Sequence, residues 1–497
     1  MDHMSLPTSA LIFVALVAGC AASDPHGQRT PEPEDELVIL EVAVVEDLQM
    51  ANHVTFEISL SEPAVPQVIC TLDADSDEVH TFVGEQEGQL IAVEGVGLLA
   101  NEDYSCVASA GERSLDVALQ TRPSALEADW TVTGSPEDSQ GAYTLFNLFN
   151  AGDIQDHKLI IVDPQGRVRF VYRIGATGSG GVAFSALPTQ QLLLAGGGDG
   201  MHPTLIRWTG EVAEEWPATT TGGVFHHDVE YQPDTDTLAT LVTTERETET
   251  FPKRSFTGFK IEVRDLGTQA PSWAFDSDQD DLNALLPIFL GDNPLHANAI
   301  SLLDDTQGPA AFISLRDPDT VVRVDRQDSS ISWMLGIGGD FDLIDADGSP
   351  LPDADWFFGQ HDPELHLDAT PPTVLVHDNG TLRPGVPGFS RAVELALDLD
   401  EMTATPTWEW TEDGWYETAF GDADALPGGN VLIAQGHCYF CTESTPNRRS
   451  AIVEVDREHT GPDAVVWRLD FGEEESGIYR AERVDGCALF HNAKYCQ

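Results

Sequence analysis

Between residues 37 and 124 apolar and polar positions alternate with a period of two. The runs LVILEVAVVE, HVTFEISL, QVICTL, QLIAVEGV, YSCVAS and SLDVALQTRP are each bounded by turn residues. Such alternation is the mark of half-buried antiparallel strands, so 37–124 is expected to form a small β-sandwich. From 128 to 497 the pattern changes to a longer repeat. One unit reads apolar pair, acid, turn, apolar, aromatic: LIIVDPQGRVRFVY (159–172), LIRWTGEVAEEW (205–216) and FKIEVRDLGTQAPSWAF (259–275). It returns as VVRVDRQDSSISWML (321–335), AVELALDLDEMTATPTWEW (392–410) and AIVEVDREHTGPDAVVWRL (451–469), roughly 45 to 70 residues apart. Each copy predicts a hairpin with an aromatic on its second strand.

A second kind of hairpin lies between these: VAFSALPTQQLLLAG (182–196), DVEYQPDTDTLATLVT (228–243), AISLLDDTQGPAAFISL (299–315), PELHLDATPPTVLVHD (363–378) and DADALPGGNVLIAQG (422–436). Two hairpins per repeat make a four-stranded blade, and six repeats make a six-bladed β-propeller over 128–497. AYTLFNLFN (142–150) and RAERVDGCALFH (480–491) are the expected closing partners. No helical period is sustained anywhere, so the fold class is all-β. In the sandwich, LLANEDYSCVAS (98–109) resembles the tyrosine corner of fibronectin type III-like domains.

Composition narrows the function classes. With 41% hydrophobic residues in 497 the chain can build packed cores, and its net charge is −59. A surface so acidic repels phosphate backbones, which excludes nucleic acid as a partner and fits solvation in a salty habitat. Residues 1–20 read as an export signal: SALIFVALVAGC is apolar but too short to span a bilayer. It ends in Val17-Ala18-Gly19-Cys20, which resembles a bacterial lipobox, although no Lys or Arg precedes the run. Cys20 is thus the candidate lipidation site, residues 21–36 a flexible acidic tether, and the protein exported to the periplasm or cell surface. Export makes disulfides the default for Cys70, Cys106, Cys438, Cys441, Cys487 and Cys496. Cys70 and Cys106 are expected to pair, and the C-terminal four leave three pairings open.

Aligning the second hairpins by their turns brings out the chemistry. His361 precedes DPELHLDATPP as His227 precedes DVEYQPDTD and His296 precedes ANAISLLDD. Three successive blades therefore carry histidine where the first strand enters the central channel. The returning strands bring Arg316 (FISLRDPDT) beside His296 and HDNG (377–380) beside His361. Three imidazoles and a guanidinium suit transfer of a sulfuryl or phosphoryl group, with one imidazole as nucleophile and cationic donors on the equatorial oxygens. A three-His metal site is the alternative, weakened by the like charge of Arg316. A binding propeller without catalysis is a third reading.

NPLHANAISLLDD, FISLRDPDTVVRVDRQDSSISWMLG, FFGQHDPELH, HDNG before SRAVELALD, and DALPGGNVLI resemble, in that order, bacterial arylsulfate sulfotransferases. YTLFN and YRAERV fit the same family. The resemblance implies a six-bladed propeller that moves a sulfuryl group from a phenolic sulfate ester to a phenol without a nucleotide donor or other cofactor. It implies that His361 is transiently sulfated, that His296 and Arg316 hold the sulfuryl oxygens with Asn298 nearby, and that His227 protonates the departing phenolate. His226, as a substrate-binding candidate, ranks lower because neighbouring side chains of an extended strand point apart. Calcium is considered only at the Asp-rich loops DSDQDDLN (276–283) and DADG (345–348), where solvated acidic turns are the simpler reading.

Overall fold

The computed structural model describes residues 37–495 apart from short stretches, the longest being 136–142, 248–254 and 437–449. The strand Ile39–Glu46 pairs with His53–Ala64, which pairs with Gly88–Val96. Asp75–Val83, Gln67–Leu72, Asp103–Ala110 and Arg113–Gln120 form a second antiparallel sheet in that spatial order. Val54, Phe56, Ile58 and Leu60 occupy alternate positions of one strand and share a core with Val68, Cys70, Tyr104 and Cys106 of the other sheet. This is the sandwich that the period-two pattern predicts. Cys70 and Cys106 face each other across two strands and are disulfide-bonded. The Tyr104 hydroxyl accepts the Leu99 N–H at 2.8 Å, closing the corner.

The rest of the described chain folds into six antiparallel sheets that succeed one another as blades. Their first strands are Ala481–Val484, Ala183–Leu187, Phe225–Gln232, Ala297–Asp305, His361–His366 and Asp422–Ala425, numbered here as blades one to six. Neighbouring first strands pack against each other in sequence, and blade one closes onto blade six. Six apolar clusters each seal one pair of adjacent blades, for example Phe312 and Trp333 of blade four against Val376 and Leu395 of blade five. Because both faces of a blade are covered, its central strands read as continuous apolar runs such as VLIA at 431–434.

Closure is double. Ala481–Val484 pairs with Tyr143–Asn150, joining the two segments singled out from the sequence. Trp130–Gly134 also adds to the outer edge of blade six beside Val465–Phe471, a pairing its five-residue pattern did not reveal. First strands are edge strands whose outward N–H groups need partners. Carboxylates of the neighbouring blades supply them. Asp228 accepts from Ile300 N at 2.7 Å, Glu230 from Leu302 N at 2.7 Å and Glu364 from Ala425 N at 2.6 Å.

The sandwich is fastened to the propeller by buried polar contacts. Arg169 of blade one donates to Glu78 of the sandwich at 2.5 Å and to its own Asp163 at 2.7 Å. Asn52 donates to the Val168 carbonyl at 3.0 Å, His80 meets the Phe490 carbonyl at 3.2 Å, and Lys494 pairs with Asp75 at 2.8 Å. Thus the sandwich, blade one and the C-terminal segment interlock. Among the described residues no helix is long and apolar enough to cross a membrane.

Candidate functional site

His227, His296 and His361 stand at the channel mouth where the first strands of blades three, four and five begin, and those three strands are irregular in the same place. Register shifts fall between Phe225 and Val229, between Ala297 and Ala299, and between His361 and Glu364. The first strands of the other three blades pair without a shift. His227, His296 and Asp362 have φ of 55°, 43° and 40°, in the left-handed region that β-carbons disfavour. Bulges of this kind re-aim side chains and gather at active sites.

Here they bring four imidazoles together in two groups. His227 Nε2 lies 3.2 Å from His296 Nε2, and His227 Nδ1 lies 2.9 Å from His226 Nδ1. His226 therefore does not point away from its neighbour: the left-handed turn at His227 breaks the extended alternation. The Arg316 N–H donates to the His296 carbonyl at 3.1 Å. Its guanidinium donates to Asp317 at 2.6 Å and to the Thr418 carbonyl at 2.7 Å.

His361 reaches the same 418–420 segment. Its Nδ1 meets Asn379 Oδ1 at 2.7 Å, while Asn379 Nδ2 donates to the Phe420 carbonyl at 2.8 Å. That second bond fixes the amide, so Oδ1 must accept and the imidazole carries its proton on Nδ1. The lone pair is then on Nε2, where it accepts from the Phe420 N–H at 3.2 Å. The turn before His361 is equally constrained. Gly359, at φ 61°, donates to Asp319 at 2.6 Å, and a β-carbon there would meet Thr381 at 2.8 Å. Gln360 is buried and donates to the Leu315 carbonyl at 3.0 Å. The Gln360 carbonyl accepts from Asn298 Nδ2 at 2.8 Å.

Burial, with Arg316 next in weight, holds His361 well below the usual imidazole range. His227 is lowered well below it by burial, His296 and Arg316, and His296 is lowered to about 3 by burial and Arg316. All three are neutral at neutral pH in the free protein. Several polar atoms stand ready for a ligand: Arg316 Nε, Asn298 Oδ1 and Thr418 Oγ1 are buried without a hydrogen-bond partner among the described residues. Among those residues no three His, Cys, Asp or Glu side chains are arranged to hold a metal ion.

Comparison with family models matches residues 132–480 to the arylsulfotransferase (ASST) family, over half of the chain. The chain belongs to that family. Comparison with curated proteins returns no match. Among solved structures, a Bacteroides caccae protein of unknown function is 12% identical over 69% of this chain and 98% of its own, with a TM-score of 0.42. The Pseudomonas aeruginosa periplasmic gluconolactonase PpgL is 14% identical over 84% and 99%, with a TM-score of 0.36. Likenesses this distant carry no weight for fold or function here.

Arylsulfotransferase membership identifies the class of activity; the geometry says which groups meet. His227, His296, Arg316, Asn298 and His361 share one mouth, joined by His226. Two contributors escaped sequence reasoning. Asn379 sits in the HDNG stretch, but its grip on His361 requires the third dimension. Tyr479 stands edge-on to His361 with ring centroids 6.2 Å apart and donates to the Asn298 carbonyl at 3.1 Å. Its signal was the YRAERV motif. His377 is enclosed by Glu417 and the Asp422 carbonyl, a packing role. The Asp-rich loops engage local partners: Asp276 pairs with Lys260 at 2.9 Å, and Asp345 accepts from Asp347 N at 2.9 Å. Cys487 is disulfide-bonded, while Cys20, Cys438, Cys441 and Cys496 lie outside the described residues.

Proposed function

We propose that this arylsulfotransferase moves a sulfuryl group from a phenolic sulfate ester to a phenol through a sulfohistidine at His361. The observation that carries the reading is the His361–Asn379 bond, which leaves a neutral imidazole with its lone pair on Nε2. Nε2 gives up the Phe420 N–H and attacks sulfur, an N–S bond forms, and the sulfur–oxygen bond to the phenol breaks. The departing phenolate takes a proton from the His227–His296 pair. Both imidazoles are neutral in the free protein, so that proton enters with the donor, whose anionic sulfate offsets the burial and the Arg316 charge that disfavour an imidazolium. In the second half the acceptor phenol returns a proton to the pair, its oxygen attacks sulfur, and the N–S bond breaks. Arg316 stabilises charge on the equatorial sulfuryl oxygens. Asn298 and His226 line the substrate, His226 backing His227 as a proton partner. The reaction draws on no nucleotide donor and no cofactor.

On the same reading residues 1–20 are a lipoprotein signal, acylated Cys20 tethers the mature chain to a membrane through 21–36, and the propeller works in the periplasm or at the cell surface. The sandwich is of fibronectin type III type, supported by its strand order and the Tyr104 corner. The test uses p-nitrophenyl sulfate with excess phenol. Nitrophenol release that requires the acceptor, and a tryptic peptide containing His361 that gains one sulfuryl group with donor alone, uphold the proposal. Release in a His361→Ala variant at the wild-type rate overturns it.

A further inference from the structure

Arg480 lies just before the closing strand Ala481–Val484, and its side chain, 11% exposed, reaches into the channel. Its Nη1 donates to Asp228 Oδ1 at 2.9 Å, and its Nε lies 2.7 Å from Asp362 Oδ2. Asp228 directly follows His227, and Asp362 directly follows His361. These residues belong to blades one, three and five, which alternate around the ring. Strand pairing joins strands within a blade, and packing joins each first strand to its neighbour. A link between alternate blades must run through the channel itself, as Arg480 does.

The two carboxylates have further duties that make the link stiff. Asp228 Oδ2 accepts from Ile300 N of blade four at 2.7 Å, so the hub engages four blades. Asp362 is itself the left-handed residue of its bulge, at φ 40°. An aspartate in that conformation is kept there when its side chain is held; Arg480 holds it by an ion pair rather than a hydrogen bond, and Asp422 is hydrogen-bonded to it as well. Tyr479, on the preceding residue, lies under the guanidinium at 5.3 Å and stands edge-on to His361.

We propose that Arg480 is a positioning residue for the proposed sulfuryl transfer. By clamping Asp228 and Asp362 it fixes the separation of His227 and His361, hence the distance from proton donor to nucleophile. The inference rests on the reaction given above but concerns geometry that can be read without turnover. A misplacement of about 1 Å at reacting groups costs about 100-fold in rate.

The experiment compares full-length wild type, Arg480→Met and Arg480→Lys, each labelled with ¹³Cε1-histidine, with signals assigned by His227→Ala and His361→Ala. In Arg480→Met the His227 and His361 signals shift and kcat for p-nitrophenyl sulfate falls about 100-fold, while KM changes by less than about threefold. Arg480→Lys, retaining one cation, restores part of kcat. Unmoved histidine signals, or an unchanged kcat, overturn the proposal. If wild type turns over no aryl sulfate, the reaction fails, and the histidine shifts alone decide the clamp. If Arg480→Met does not fold, Asp362→Asn removes one arm of the clamp and is read by the same signals.

Discussion

Two buried polar clusters in this chain follow opposite rules. At the joint between sandwich and propeller, Glu78 and Asp163 face Arg167 and Arg169, two acids against two guanidinium groups, with the His80 imidazole 3.5 Å from Glu78. Arg167 donates to Asp163 at 2.8 Å and to Glu78 at 3.1 Å, and Arg169 bonds both acids as well. Such saturation makes a buried charge set tolerable. At the histidine mouth Arg316 has a single carboxylate, Asp317, and the Thr418 carbonyl as partners beside imidazoles that stay neutral, and Arg316 Nε, Asn298 Oδ1 and Thr418 Oγ1 have no partner among the described residues. A fold keeps open hydrogen-bonding capacity in a buried place only at a cost. The joint is built for holding; the mouth is built for receiving.

The largest expected effects separate the two at once. His361→Ala lowers acceptor-dependent nitrophenol release by about 1,000-fold or more, while the melting temperature falls by about a few degrees because the buried imidazole also holds Asn379 and the Phe420 N–H. Arg316→Met lowers kcat by about 100-fold, the usual loss for one oxyanion donor. Steady-state kinetics beside a thermal melt of each variant check both. The contrast is broken if either change unfolds the protein.

Arg169→Met does the reverse. It strands Glu78 and Asp163 as buried carboxylates beside one remaining, partly exposed Arg167, and removing one partner of a buried pair costs about 3–5 kcal/mol. The midpoint of urea unfolding falls accordingly, while kcat per folded molecule is unchanged. Replacing Glu78 with Gln as well recovers part of the loss, because one of the stranded charges is gone.

The sequence made the mouth more legible than the joint, for a physical reason. His227, His296 and His361 recur at one place in a repeat, and repeats convert sequence position into spatial position. The hairpins 182–196, 228–243, 299–315, 363–378 and 422–436 carried the blades in the same way, through period and turn residues alone. Glu78 and Arg169 obey no repeat, because the sandwich meets blade one only once. The bulges were illegible too. Nothing in HHDV or QHDP announces a left-handed residue, and reading FHHDVEYQ as plain extended strand turned His226 the wrong way. Trp130–Gly134 was missed because five residues give too little alternation to register. The strand pattern put HDNG beside His361, but not which of its side chains meets the imidazole, so the Asn379 bond stayed hidden; Tyr479 lies far off in sequence, and only blade closure brings it to His361.

The smallest effect sharpens the contrast through pH. In the sandwich, His53 is buried, which opposes its charge, yet hydrogen bonds to Asp47 and Glu94 raise it to about 9. A raised histidine stabilises the fold fully below its unfolded value of about 6.5, and that contribution is lost as pH climbs through about 9. At the mouth His296 is lowered to about 3 by burial and then Arg316, so its effect has the opposite sign. The unfolded chain binds a proton there that the folded chain refuses, and stability is lost as pH falls from about 6.5 through about 3. His53→Gln is therefore expected to flatten the alkaline limb of the melting temperature against pH and leave the acid limb alone. His296→Gln flattens the acid limb instead, each by about a few degrees. Donor binding should partly reverse the second effect, because an anion beside His296 favours its protonation. Proton uptake on adding p-nitrophenyl sulfate near pH 6, measured by calorimetry in two buffers of different ionisation enthalpy, checks that sign. Uptake lost in His296→Gln but kept in His53→Gln assigns the proton to the mouth; equal uptake in both places it elsewhere and ends the distinction between a cluster that holds and one that receives.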